Sequence, residues 1–253
     1  MKYFNKNILC TSLLLVVLAS CTKDVPAGMG TEPDKAKINF INAAPDAKPA
    51  IEGRLLAFYF KYNQLDYYTQ PVQFPWASQY LAIMPGEIQV DLDTARALNA
   101  TIPGPRATQL SYRVNAEADA YYSLFVTNTA QNPDTLFLKD DVSMPSPGKI
   151  KVRFINLSAS AGVINIVDVA GNKALASGLI YKSASDFIEM DPADYSNVRI
   201  QDHTTGAYIS PANLRVLLEQ NNVYTIWAAG IRNPAPGVTS TLRLCYHANR
   251  YSF

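Results

Sequence analysis

The chain has 253 residues, 48% of them hydrophobic and 17% charged. That is a globular composition, and a formal net charge of +1 gives no general electrostatic reason to bind nucleic acid or an anionic bilayer. Two histidines and three cysteines narrow metal and nucleophile chemistry at once, while 16 prolines and 15 tyrosines favour strands and loops over long helices.

The first twenty-one residues read as an address. Lys2 and Lys6 precede an apolar run from Ile8 to Val17, too short to span a bilayer but suited to a signal-peptide core. The run ends in Leu18-Ala19-Ser20-Cys21, which resembles a bacterial lipobox. Cleavage before Cys21 removes residues 1–20 and both leader lysines, so the net charge becomes −1. Cys21 is then the lipid-attachment site, and acyl chains on it hold the protein at the membrane at about 0.8 kcal/mol per buried methylene. Only Cys245 remains as a thiol, so no intramolecular disulfide is expected. Residues 21–35 carry Pro26, Gly28, Gly30 and Pro33 and read as a flexible tether. The implied location is the cell envelope, as an outer-membrane lipoprotein that is a candidate for surface exposure.

The remainder repeats itself. Lys37-Ile38-Asn39-Phe40-Ile41-Asn42 matches Lys151-Val152-Arg153-Phe154-Ile155-Asn156 at an offset of 114. Tyr80 to Ile83 with Pro85-Gly86 matches Phe187 to Met190 with Pro192-Ala193 at 107. Arg113-Val114, Glu117 and Tyr122 match Arg215-Val216, Glu219 and Tyr224 at 102. Thr135 to Leu138 matches Thr241 to Leu244 at 106. The change from 114 to 107 predicts a seven-residue insertion in the first copy, around Tyr62 to Phe74. The Pro/Gly-rich stretch at 145–148 reads as a linker between modules at 36–144 and 149–253.

Within each module the apolar period is two. Ile38, Phe40 and Ala43 are expected on one face, echoed by Val152, Phe154 and Leu157, with Lys37 and Asn39 opposite. Tyr121 to Val126 and Val223 to Ala228 are dense enough for central strands. The Pro85-Gly86 and Pro192-Ala193 pairs predict turns between strands. Only Asp93 to Asn99 and Leu214 to Leu218 suit short helices. The predicted class is all-β: two tandem antiparallel β-sandwiches, Ig-like in build.

Phe40-Ile41-Asn42-Ala43-Ala44-Pro45-Asp46-Ala47 resembles the opening of DUF4397 domains, where an N-A-S-P-D-A-like turn leads into a V-D-V-Y-type strand. The second copy keeps Phe154-Ile155-Asn156 but continues Leu157-Ser158-Ala159-Ser160 without the proline, then offers Val163 to Asp168 as the strand. Val223-Tyr224-Thr225-Ile226-Trp227-Ala228-Ala229-Gly230 resembles the family's V-Y-T-V-Y-A-V-G strand. The resemblance covers most of residues 36–253 and implies two such sandwiches on an exported chain from a Bacteroidetes-type bacterium. It implies no activity and no catalytic residue.

Chemistry is thinly marked. Neither H-E-x-x-H, C-x-x-C nor G-x-S-x-G occurs, and glycine-rich phosphate loops are missing. No catalytic residue, metal site or cofactor is assigned. His203 and His247 read as loop or strand-surface residues, and Cys245, with His247 two positions on, as an inert thiol. The acids Asp186, Glu189, Asp191 and Asp194, with Asp91 and Asp93, read first as turn and strand-end residues. Tyr67, Tyr68 and Trp76 stand out in an aromatic stretch and form the candidate ligand or partner surface.

The leading function is a lipid-anchored, non-enzymatic envelope module that binds or scaffolds a glycan or an envelope or extracellular protein, with no nucleic-acid partner. Two rivals remain. One is an envelope hydrolase using carboxylates in one sandwich cleft. The other is a structural subunit that assembles by strand addition.

Overall fold

A computed structural model describes residues 34–47, 56–63, 65–66, 71–96, 107–192, 194–210 and 214–250. The leader, Cys21, the tether as far as residue 33, Tyr67 and Tyr68 lie outside them. Every regular element described is a strand. In the N-terminal half these are β1 (Ala36–Asn42), β2 (Leu56–Tyr62), β3 (Leu65–Asp66), β4 (Val72–Gln73), β5 (Leu81–Ile83), β6 (Gly86–Arg96), β7 (Ala107–Ala116), β8 (Tyr121–Thr129) and β9 (Asn132–Asp140). In the C-terminal half they are β10 (Ile150–Asn156), β11 (Ile164–Asp168), β12 (Lys173–Leu179), β13 (Ile188–Met190), β14 (Asp194–Asp202), β15 (Leu214–Leu217), β16 (Val223–Ala229) and β17 (Arg243–Arg250). Of the segments weighed as helices, residues 93–96 and 214–217 fall instead in β6 and β15, and residues 97–99 lie outside the described residues. Val90 and Leu92 of β6 lie in an apolar core, and alternation along a paired strand satisfies them better than a short helix could.

Each half stacks two sheets. The N-terminal pair run β5-β1-β8-β9 and β3-β2-β6-β7, and the C-terminal pair run β13-β10-β16-β17 and β12-β11-β14-β15. Most pairings are antiparallel, but β1 lies parallel to β8 and β10 parallel to β16. Phe40, Phe58, Phe60, Val90, Leu92 and Leu124 centre the first core. Val152, Phe154, Ile164, Ile166, Ile200 and Ile226 centre the second. The Pro85-Gly86 turn carries the chain from β5 in one sheet to β6 in the other, with Gly86 at a positive φ of 108°.

The parallel strands β1 and β10 are buried along their whole length. Parallel pairs are characteristically covered on both faces, and here the second face is covered by the other half. Ile41, Ala43, Phe125, Ile155, Leu157, Trp227, Ala229 and Cys245 form a third apolar cluster between the halves. Phe125 and Trp227 meet edge to face, ring centres 6.0 Å apart. Ala43 and Leu157 therefore belong to this seam and not to the sandwich cores; Ala44 is the residue that turns inward. Lys37 and Asn39, on the face opposite Ile38 and Phe40, are buried as well.

Polar groups cross the seam as well. Arg153 meets Asp140 at 2.6 Å. The same carboxylate accepts from the Tyr80 and Ser123 hydroxyls, each at 2.6 Å. Asn249 Nδ2 donates to the Tyr80 oxygen at 2.8 Å, and Thr127 Oγ1 to the Leu157 carbonyl at 2.6 Å. Burial and then Asp140 hold the Tyr80 hydroxyl well above its ordinary pKa.

Strand pairing also resets two of the alignments read from sequence. Leu124 pairs with Phe137 and Ile226 with Tyr246, so the last strands correspond at an offset of 109, not 106. Phe60 pairs with Leu92, and Ile166 with Ile200. Phe60 and Ile166 are thus equivalent, and so are Phe58 and Ile164. The extra length of the first half lies between Asn42 and Phe58, not around Tyr62 to Phe74. Phe58 pairs with Val72 and Ile164 with Leu179 across connections of nearly equal length. The aromatic stretch is thus the counterpart of β12 and its approach.

Candidate functional site

Trp76 is the one member of the sequence-derived surface within the described residues. Its side chain is 68% exposed, which is unusual for the largest apolar residue. The backbone around it is held on both sides. Trp76 N donates to the Gln73 carbonyl at 2.7 Å, and Asn42 N donates to the Trp76 carbonyl at 3.0 Å. Asn42 Nδ2 reaches the Val72 carbonyl at 2.8 Å, and the Phe74–Pro75 bond is cis. Phe74 and Ala77, on either side, pack against the cluster between the halves. The Arg243 guanidinium lies 5.8 Å from the Phe74 ring centre. Trp76 is therefore an exposed indole on a fixed turn at the rim of the seam, arranged to offer a flat apolar face.

The second site was missed in the sequence. In the N-terminal half β8 and β9 are joined by a tight hairpin, Thr129 pairing with Asn132. In the C-terminal half Ala229 pairs with Arg243, so residues 230–242 form a long loop in the same place. Ile231 and Leu242 close its base by backbone hydrogen bonds, Ile231 N to the Ser240 carbonyl and Leu242 N to the Ile231 carbonyl, both at 2.9 Å. Gly230 at φ 103° makes this possible, because a Cβ there would collide with the Thr241 carbonyl. Between the loop and the strand-like segment 208–210 lies a cleft of about 350 Å³ lined by Arg199, Tyr208, Asn233, Pro234 and Thr241 among others. The clue was available: a Pro/Gly/Thr-rich stretch, Asn233-Pro234-Ala235-Pro236-Gly237-Val238-Thr239, with no counterpart between Ala130 and Asn132. The offset of 106 concealed it.

The cleft's polar floor is β14. Val198 and Ile200 enter the core, so Arg199 falls on the outer face. Arg199 Nη2 donates to the Ser210 carbonyl at 2.9 Å. Its guanidinium carbon stands 4.5 Å from the Tyr208 ring centre, within cation–π reach. Three residues along, Asp202 is held below its ordinary pKa, at about 2, first by the Thr205 backbone N–H and then by Arg232.

Several of the titratable groups singled out earlier have local partners, and burial sets the state of two others. Burial pushes the Cys245 thiol up to about 12 against the pull of Arg243, which suits an inert packing residue. Burial pushes the His247 imidazole down to about 4, with Asp140 pulling the other way. His203 is exposed, its Nδ1 2.9 Å from Asn165 Oδ1. Asp91 accepts from Gln89 and Ser111, and Asp93 from Thr108 and Lys61. Glu189 accepts from Ser146 N and Asp191 from Lys149. Among the described residues no group of three or more His, Cys, Asp or Glu side chains is placed to hold a metal ion.

Residues 58–167 match the model of DUF4397, a domain of unknown function. The match begins in β2 of one half and ends in β11 of the other, so it straddles the seam. No curated protein matches the chain. A crystal structure from Bacteroides fragilis, described as that of a "putative cell adhesion protein", covers 87% of this chain and 99% of its own at 10% identity, with a TM-score of 0.21. A likeness that weak says nothing about the role of this chain.

Proposed function

We propose that the chain is a lipid-anchored envelope protein in which two tandem copies of one β-sandwich module, at 36–144 and 149–253, act as a non-catalytic binding or scaffolding unit. Anchoring is through lipid on Cys21, and the ligand is a glycan or an envelope or extracellular protein. The observation that carries the binding role is Trp76, exposed on a turn whose backbone is fixed from both sides. A rigid aromatic face costs little entropy to bury against a sugar ring or a protein pocket. The sandwich supports the same reading, because recognition commonly sits on short segments held by a stiff scaffold. The common strand order of the halves supports the duplication, and the order of leader, apolar core and lipobox supports the anchor.

Two experiments test this. Cells expressing the chain are labelled with a radioactive fatty acid. Wild type takes up label and Cys21→Ala does not; equal labelling of both overturns the anchor. Purified protein is then screened against a polysaccharide panel and, by crosslinking in cells, against envelope proteins. Trp76→Ala is expected to leave the melting curve within about 0.5 kcal/mol of wild type while removing the strongest hit. Undiminished binding by a folded Trp76→Ala variant overturns the role of this surface.

A further inference from the structure

We infer that the cleft between residues 208–210 and the loop 230–242 is a binding site for a carboxylate-bearing saccharide, one or two rings of a uronic acid. It stands on residues separate from Trp76 and goes beyond the reading above. The argument begins with Arg199. Its Nη2 is used by Ser210 and its Nε is buried without a partner. Among the described residues nothing accepts from Nη1. No carboxylate is among the residues that line the cleft. The nearby acid Asp202 is already held by Arg232 at 2.8 Å and by the backbone N–H groups of Thr204 and Thr205 at 3.0 Å. A guanidinium fixed by a backbone carbonyl and an aromatic ring, with Nη1 left over and no anion of its own, is complementary to a carboxylate.

The rest of the lining selects a sugar. Tyr208 is 40% exposed. Arg199 stacks against its ring, and the remaining aromatic surface is available to the apolar face of a pyranose. Asn233 and Thr241, on the loop, bring an amide and a hydroxyl whose side chains make no hydrogen bond among the described residues. Asn233 takes up the left-handed region at φ 54°, which asparagine tolerates. A volume of about 350 Å³ sits at the small end of ligand pockets, roughly 300–1,000 Å³, and suits a terminal sugar or a disaccharide. The N-terminal half has a tight hairpin at this place, so the cleft belongs to the C-terminal half alone.

The test is calorimetric titration of the full chain, purified in detergent. The ligands are glucuronic and galacturonic acid and their disaccharides, with glucose and galactose as neutral analogues and N-acetyl-alanyl-alanine as a carboxylate without a pyranose. The uronates are expected to bind about tenfold or more tightly than the neutral sugars, and Arg199→Gln to erase that difference. Arg199 also pins Ser210, so a second variant guards against local unfolding. Asn233→Asp keeps a residue that tolerates positive φ and sets a negative charge at the exposed rim. It is expected to weaken uronate binding more than neutral-sugar binding, and Trp76→Ala is expected to bind uronates like wild type. Equal binding of neutral and acidic sugars overturns the proposal, as does dipeptide binding as tight as uronate binding. Uronate binding unchanged in both Arg199→Gln and Asn233→Asp overturns it too, and so does uronate binding lost only in Trp76→Ala.

Discussion

The two halves share a skeleton of backbone and side-chain fastenings and differ in what hangs from it. Asn42 and Asn156 each end the first strand of their half and fasten the chain alike: Oδ1 accepts from the residue two positions on, and Nδ2 donates to the carbonyl of Val72 or of Leu179. Ser78 and Ser185 each accept from the central phenylalanine of that strand, Phe40 or Phe154. The Tyr122 and Tyr224 hydroxyls accept from Glu117 N and Glu219 N. Against this sameness, Trp76 in one half stands where Ser183 stands in the other, each carbonyl accepting from the asparagine N–H. The 230–242 loop replaces a hairpin. Residues that close buried backbone groups recur because leaving one unsatisfied costs about 1–3 kcal/mol. Loop tips carry no such penalty, and there the halves have parted.

The largest break in the comparison is to separate the halves. Asp140→Ala leaves Arg153 buried without its carboxylate and is expected to cost about 3–5 kcal/mol in a urea melt. Adding Arg153→Met, which removes the stranded charge, should recover part of that loss. A double variant no more stable than Asp140→Ala would mean that Arg153 is not the source of the cost.

Next in size is a pH effect that belongs to the C-terminal half alone. The His247 imidazole is held down at about 4, below its unfolded value near 6.5. The unfolded chain therefore binds the extra proton first. Stability is full above about pH 6.5 and falls as pH drops toward 4, by about 3 kcal/mol at most. Melts of wild type and His247→Gln between pH 7 and pH 4 should show the variant losing less. Parallel curves would remove His247 from the account.

Smaller effects sharpen the equivalence. Asn42→Ala and Asn156→Ala should each cost about 1–3 kcal/mol. Asn156→Ala should cost more, because Nδ2 of Asn156 also serves the Gly162 carbonyl at 2.9 Å. Smallest is the tyrosine pair. Tyr224→Phe should cost about 1 kcal/mol and Tyr122→Phe less, since only the Tyr224 hydroxyl also accepts from buried Asn222, at 3.1 Å. A reversed order in either pair would show that the fastenings are not equivalent.

Much of this was legible in the residues themselves. Period-two patterning gave the strands, and the Pro-Gly pair marked a turn between two of them, which the structure shows to pass from one sheet to the other. The recurrence of Phe-Ile-Asn and of Glu with Tyr five residues on identified positions that make the same hydrogen bonds. Trp76 was visible as a member of an aromatic stretch, and only the structure gives its exposure. The cleft was not visible. Arg199, Tyr208 and Asn233 lie far enough apart that no local pattern joins them, and an alignment off by three residues hid the loop that completes it.

Sequence alone determined the strand-rich class, the repeated order of its elements and the faces that alternate along each strand. Tertiary structure decided which of those faces are buried. Period two says that Ile38 and Phe40 share one side and that Asn39 and Ile41 share the other. It does not say that a second sandwich covers the latter side, because that depends on residues more than a hundred positions away. Lys37, Asn39 and Arg153 look like surface residues in the sequence and are buried in the fold. Burial is a property of what packs against a face, and alternation records only which residues the face holds.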